Sequence, residues 1–383
     1  MRIVYINLHN INFLVKTYSQ IINNYNIVSY KHKFILDAFI NRGYEIVNLL
    51  LCNKDEVEDE IRKANLVYKE NGIDEKIITI TNVDEVRSDD LCIVYFHYFN
   101  GYLESKKLSC RKILMGNHFI RVKKGQRFNL YEDGFETFVN EAGVESNDFV
   151  KTFFNLDRIK NIIMPYTYND RFCFKKKIED RSKKVLAIGT LSTVEGIEEY
   201  SGYRDFYNTN WVQPQGVKLI KHRHLNKYWM DTEVSYIYQG MLRVNDTDCG
   251  LVRTFKKYYN KHHERQGKYM RFNMVDKFND YTFFVRPEEL VGMPSINMIE
   301  GMACGCIYFG TMERVYESIG LKPDVHYVKY DGSLSDLRKK HKELLNDRQR
   351  IEELSIQGMN YVREMFNPRK VSGDFISKIL IDS

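Results

Sequence analysis

Long apolar stretches are missing from this chain. No run reaches the roughly 18 uncharged apolar residues that a membrane-spanning helix needs, so no spanning helix is expected. Proline is scarce, six in 383 residues, and no low-complexity tract occurs. Long disordered linkers are therefore not expected. The seven cysteines are an odd number scattered over positions 52, 92, 110, 173, 249, 304 and 306. Only Cys304 and Cys306 lie close together, with no second pair at zinc-site spacing. That points to reduced, mostly buried thiols rather than a disulfide framework. No Gly-x-Gly-x-x-Gly follows an apolar run, which argues against a nicotinamide-dependent dehydrogenase. A strong charge of one sign is absent as well. The net +6 is modest and diffuse, so no nucleic-acid partner is expected. Basic runs at Arg121–Lys124, Lys175–Lys177 and Lys183–Lys184 read mainly as solvated surface, with weak attraction to an anionic membrane face or to phosphorylated ligands. Met1 to Asn7 leads at once into an apolar run and lacks a signal-peptide pattern. The expectation is a cytoplasmic protein, peripheral at most to the inner face of the membrane.

What the chain does have is length and alternation. Its 383 residues are enough for two domains of ordinary size, and its 43% hydrophobic and 28% charged residues are globular proportions. Apolar strands alternate with amphipathic helices. Ile3–Ile6, Tyr44–Val47, Ile77–Ile80, Leu91–Phe96 and Lys112–Met115 read as strands. Tyr30–Asn41 reads as a helix stopped by Gly43 as the C′ residue, and Glu56–Asn71 as a charged helix. Such alternation predicts a parallel, doubly wound sheet. A basic, polar stretch near Lys175–Lys184 marks a domain boundary. The pattern then restarts with strands at Val185–Gly189, Tyr281–Val285, Ile307–Phe309 and Asp324–Val328. Helices at Leu334–Leu345, Gln349–Met365 and Pro368–Ile381 close the chain, with Pro368 well suited to a first helical position.

The most informative segment runs from Gly292 to Cys306. Gly292-Met293-Pro294 is a turn, and an apolar helix follows. A helix start aims free N–H groups and the positive dipole end at one point, which suits a phosphate. The N–H groups of Ser295, Ile296 and Asn297 would form that cradle. Glu300 stands within about two turns of it and can accept hydrogen bonds from two vicinal hydroxyls, as a ribose offers. Phosphate and ribose together suggest a nucleotide. Gly189 and Thr190 are expected at the carboxyl end of the first strand of the second domain, where ligands bind in such sheets. His97 and His118 each follow a strand end in the first domain. Asn7, His9 and Asn10 follow its first strand, where a capping turn is the simpler reading.

Pro294-Ser295-x-x-x-x-Glu300-x-Met302-Ala303-Cys304-Gly305 resembles the donor-nucleotide motif of retaining glycosyltransferases with the two-Rossmann (GT-B) architecture, glycosyltransferase family 4-like. The Arg42-Gly43-Tyr44-Glu45-Ile46 passage, the Pro165-to-Phe172 crossing with its Asn-Asp-Arg-Phe, and the helical tail resemble that family in the same order. The resemblance implies an N-terminal acceptor domain over 1–172 and a C-terminal donor domain over 173–383, facing across a cleft. The final helix, about 368–381, would cross back onto the first domain. It implies sugar transfer from a nucleotide-sugar to a hydroxyl of a glycan or lipid-linked acceptor, in cell-surface polysaccharide or glycoconjugate synthesis, with retention of configuration. An inverting enzyme of the same architecture and a non-catalytic nucleotide-sugar-binding protein are the alternatives. His118 matches a position where the family places a histidine near the transferred sugar, and His97 shares its location. No cofactor or metal is implied, and Asp246-Thr247-Asp248 reads as a solvated turn.

Three departures stand out. The family carries an acidic residue where this chain has Gly292; Glu288 or Glu289 would have to substitute. At the family's diphosphate-binding Arg and Lys positions this chain has Thr190 and Glu195. Arg204, Lys218, Arg243 and Arg286 are the candidate replacement cations, Arg286 being the one just before the Glu300 loop.

Overall fold

The computed structural model describes residues 1–8, 14–15, 30–96, 99–116, 122–220, 223–238, 249–264, 273–288 and 292–380. The chain forms two compact units. Met1–Arg121, Arg127–Asn169 and Met365–Ser383 make the first; Val122–Gln126 and Asp170–Glu364 make the second.

The first unit is built on β1 (Ile3–Leu8), β2 (Ile46–Leu51), β3 (Ile77–Ile80), β4 (Leu91–Tyr95), β5 (Arg111–Met115), β6 (Phe128–Asn129), β7 (Thr137–Asn140), β8 (Phe154–Asn155) and β9 (Lys160–Ile163). Seven of them form one sheet in the order β3-β2-β1-β4-β5-β7-β9. Every pairing in it is parallel. Continuous apolar runs such as Leu91–Tyr95 are buried along their whole length, as a sheet covered on both faces requires. β6 and β8 pair separately. Helix Tyr30–Asn41 ends as its sequence predicts. Gly43 adopts φ +81°, its N–H reaches the Ile40 carbonyl at 2.9 Å, and Tyr44 N–H reaches that of Phe39 at 3.1 Å. Helix Pro368–Leu380 packs against it and sends Val371, Phe375, Ile376 and Ile379 into the core with Ile35, Leu36 and Phe39.

The second unit contains β10 (Ser182–Thr193), β11 (Met230–Tyr238), β12 (Tyr281–Val285), β13 (Ile307–Gly310) and β14 (Val328–Lys329). They lie in the order β11-β10-β12-β13-β14, all parallel. The strand sequence therefore reverses direction beside β10, between β11 on one side and β12 on the other. Strand β11 has no counterpart in the sequence reading, because Asp231 and Glu233 interrupt its apolar pattern. It is an edge strand, and its charges are met there. Asp231 accepts from Lys184 Nζ and the Tyr281 hydroxyl, each at 3.0 Å, and Glu233 from Lys277 Nζ at 3.0 Å. The strand expected over Asp324–Val328 is mostly a turn, with Asp324 in the left-handed region at φ +56°. Tyr327 bridges back to Pro323, and Val328 and Lys329 pair with β13. Helices Leu334–Leu345 and Arg348–Met365 follow.

Candidate nucleotide site

In an open parallel sheet, the crevice for a ligand forms beyond the carboxyl ends of the strands where the strand order reverses. In the second unit that place lies between β10 and β12. The sequence places Gly189 and Thr190 at the end of this strand; β10 instead continues to Thr193. Its pairing with β12 stops at Ala187, whereas pairing with β11 runs on to Thr193. The chain leaves β12 at Arg286 and Pro287, and Gly189 sits against that departure. A Cβ on Gly189 would lie 2.9 Å from Pro287 Cδ, and its φ of +143° is one that side chains avoid. Thr190 follows, half-buried on β10.

Glycine again opens the next turn, where Gly292 has φ +65°. Ser295 occupies the N-cap of helix Ile296–Ala303, yet its side chain makes no cap bond. The Ser295 hydroxyl is buried and finds no hydrogen-bond partner among the described residues. Buried hydroxyls normally have one. Ile296 and Asn297 open the helix half-exposed, and their N–H groups have no carbonyl upstream within the helix. The other end is firmly closed. Gly305 at φ +76° donates to Met302 at 2.8 Å and Cys306 to Gly301 at 3.0 Å, completing a Schellman motif. Arg181, itself buried, donates to the Cys304 carbonyl at 2.9 Å, placing a cation at the negative end of the helix. Gly301 allows close contact with the sheet, since a Cβ there would lie 2.6 Å from Phe284 Cζ.

Glu300 is one turn from Asn297 on the same helix face. It is 5% exposed. Burial pushes its carboxyl up to about 8, opposed in part by the charges of Arg171 and Arg286. Arg286 is buried as well. Its Nε donates to the Pro287 carbonyl at 2.8 Å and a terminal nitrogen to Asn297 Oδ1 at 3.4 Å. The structure thus gathers Arg286, Asn297 and Glu300, with Ser295 and Gly189 flanking the same strand-end region. Arg171 was missed as a partner of Glu300. It lay in the Asn-Asp-Arg-Phe segment, read only as a domain crossing.

Other candidates fall elsewhere. Glu288 turns inward and is fully occupied. It accepts from the Thr311 N–H at 2.7 Å, the Tyr316 hydroxyl at 2.7 Å, the Tyr308 hydroxyl at 3.1 Å and the Thr311 hydroxyl. It therefore does not replace the acid missing at Gly292; Glu289 lies outside the described residues. Lys218 donates to the Gly332 carbonyl at 3.4 Å. Arg204 stands on the short helix Ser201–Tyr207, and Arg243 is outside the described residues. Asn7 is buried inside β1 and hydrogen-bonds Asn48 of β2, so it holds the sheet together. His97 and His118, two and three positions beyond the ends of β4 and β5, lie outside the described residues, as do His9, Asn10, Asp246 and Asp248. Among the described residues no cluster of His, Cys, Asp and Glu is suited to a metal ion. In the first unit, a crevice of about 490 Å³ lies at the carboxyl ends of β1, β2 and β3, lined by Leu8, Cys52, Asn53, Thr81, Asn100 and Glu104.

The two parallel sheets define an α/β protein of two Rossmann-like units. No protein-family model and no curated protein matches the chain. Solved structures match it over its length. Sucrose-phosphate synthase from Thermosynechococcus elongatus is 7% identical, with a TM-score of 0.52 and 100% of each chain covered. Anabaena HepE in complex with UDP is 9% identical, with a TM-score of 0.52 and 99% of each chain covered. HepE has also been solved with UDP-glucose. The N-terminal domain of Candida albicans trehalose-6-phosphate phosphatase is 9% identical, with a TM-score of 0.56 and 100% and 97% covered. At such identities the likeness establishes the fold, GT-B.

Proposed function

We propose that this protein is a glycosyltransferase that moves a sugar from a nucleoside diphosphate to a hydroxyl acceptor, with retention of configuration. The observation that carries the reading is the buried Glu300 beside Arg286 and Asn297, at the strand-order reversal of the second unit and little more than one turn from an open helix N-terminus. HepE, of the same fold, binds UDP and UDP-glucose.

In this reading the Glu300 carboxylate takes the two ribose hydroxyls. The Ser295 hydroxyl and the N–H groups of Ile296 and Asn297 meet the diphosphate, and Gly189 lets it approach the backbone. Arg286 takes the part of the cations that Thr190 and Glu195 do not supply. As the bond between the anomeric carbon and the phosphate oxygen breaks, negative charge grows on the leaving diphosphate. Fixed dipoles and a buried cation stabilise that charge more than the ground state, by several kcal/mol. The acceptor oxygen bonds to the same face of the anomeric carbon and gives its proton to the departing phosphate oxygen. The acceptor is a glycan or lipid-linked hydroxyl, with His97 and His118 as the sequence candidates to meet it. No metal is assigned a role.

Thermal shift against UDP, GDP, ADP and CMP tests the donor, because a ligand of the native state raises the melting temperature by mass action. One nucleotide should give a shift that Glu300→Ala abolishes. A shift unchanged in that variant refutes the ribose assignment. Donor turnover then separates an enzyme from a binding protein, and the anomer formed, read by NMR, separates retention from inversion.

A further inference from the structure

A second crevice of the first unit, of about 670 Å³, takes no part in the nucleotide site. It lies beside the small sheet of β6 and β8 and the start of the edge strand β9, and it shares no residue with the crevice at the carboxyl ends of β1, β2 and β3. Small-molecule sites span about 300–1,000 Å³ and carry a few fixed polar groups. Three asparagines supply such groups here. Asn129 and Asn155 are direct partners in the parallel register of β6 and β8, so they stand side by side, their strands about 4.8 Å apart. Phe128 and Phe154, one position earlier, are buried and stack with ring centroids 5.0 Å apart, so alternation turns the two amides the other way, into the crevice. Each amide is oriented by its own stretch of chain. Asn155 Oδ1 accepts from the Asp157 N–H at 2.9 Å and Asn129 Oδ1 from the Glu132 N–H at 3.5 Å, which leaves both amide nitrogens to donate. Asn161 is turned round. Its Nδ2 donates to the Ile159 carbonyl at 3.3 Å, which leaves its oxygen to accept.

Charge in the crevice is balanced, with Arg127 and Lys151 against Glu145 and Asp157. Both cations are engaged. The Arg127 guanidinium lies 5.0 Å from the centre of the Phe153 ring, and Lys151 Nζ donates to the Glu145 carbonyl at 3.1 Å and pairs with Asp148 at 2.9 Å. The Glu145 and Asp157 carboxylates have no partner among the described residues. An anion would therefore meet two free carboxylates and two occupied cations. An uncharged ligand with many hydroxyls meets no such repulsion. Each hydroxyl can accept from an asparagine nitrogen and donate to Asn161 or a carboxylate, and half-buried Leu156 offers an apolar contact for C–H groups. Amides already held in place lose little freedom when they bind. We propose that this crevice binds a neutral oligosaccharide, as a second carbohydrate site that holds a glycan without reacting with it. The choice of a glycan among uncharged polar ligands rests on the proposed function, whose acceptor is a glycan hydroxyl. Nucleotide plays no part in the test, so either assignment can fail alone.

The test is a saturation-transfer difference NMR titration of the full chain without nucleotide. The probes are maltopentaose, cellopentaose, mannopentaose and chitopentaose, with pentagalacturonic acid as the charged comparison. At least one neutral probe should bind. The double variant Asn155→Ala/Asn161→Ala should bind it about tenfold more weakly or worse, since two hydrogen bonds to the sugar are lost. Asn155 also caps a turn, so Asp157→Ala gives a second measurement. It removes an exposed carboxylate with no partner among the described residues, and should weaken binding about fivefold or more at an unchanged melting temperature. Absence of binding by every neutral probe overturns the proposal, as does undiminished binding by both variants. It is also overturned if pentagalacturonic acid binds more tightly than every neutral probe, for the crevice would then be an anion site.

Discussion

Glu300→Gln removes a charge and keeps the shape, so it isolates what burial does to this carboxyl. The group stands at 4.5 in its ordinary setting and is pushed to about 8 in the fold. The native state therefore holds its proton where the unfolded chain has lost it. Stability from this group is fully present below about 4.5 and is lost as pH rises through about 8. Glutamine does not titrate, so the variant should gain on the wild type by roughly 1.4 kcal/mol per pH unit across that window. From pH 6 to 8 that amounts to roughly 2–3 kcal/mol. For a unit of this size each kcal/mol moves the melting midpoint by about 2–4 °C. Calorimetry at several pH values should thus show the gap between variant and wild type widening by several degrees toward pH 8. Ligand binding carries the opposite sign. Ribose hydroxyls favour the charged carboxylate, so the proper nucleotide lowers the Glu300 pKa and expels its proton. Affinity of the wild type should rise with pH between about 6 and 8, and that of the variant should be low and flat. A constant gap between the two melting curves would refute the assignment of a raised pKa. Parallel pH–affinity profiles would refute the contact with ribose.

Glu288→Ala should cost about 3–5 kcal/mol, since Tyr308, Tyr316 and Thr311 lose their common buried acceptor; denaturant unfolding measures it, and a loss under about 1 kcal/mol would contradict the geometry. Gly189→Ala should cost about 1–3 kcal/mol through its contact with Pro287 and its backbone angle, and should weaken nucleotide binding more than a distant substitution of equal cost; calorimetry with and without nucleotide distinguishes the two effects. Arg286→Ala should weaken a nucleoside diphosphate about tenfold or more while affecting the nucleoside far less; equal losses for both in titration calorimetry would move the cation away from the phosphates.

Particular residues show where the sequence was legible. Gly43 and Gly305 each follow an apolar helix and precede a strand, and each is the left-handed residue of a Schellman motif. Leu334–Leu345 was readable to the residue, because its periodicity is flanked by a capping Ser333, whose hydroxyl accepts from Asp336 N–H at 3.1 Å. Pairing across distance was not legible. Strand β11 looked polar because Lys184, Tyr281 and Lys277, which satisfy it, are remote in sequence. Glu288 looked available because nothing local reveals that Tyr308 and Tyr316 surround it. Arg171 carries charge toward Glu300 from a segment more than a hundred positions away, and no spacing rule joins the two.

The helix Pro368–Leu380 has a consequence for how the molecule comes into being. Its four core residues complete a layer whose other members were synthesised among the opening strands. During translation those strands emerge early and then wait, with an apolar surface uncovered, while nearly the whole intervening unit is made. The earliest sheet to leave the ribosome is thus the later one to be finished, and a premature stop before Pro368 would strand it with its hydrophobic side open to water.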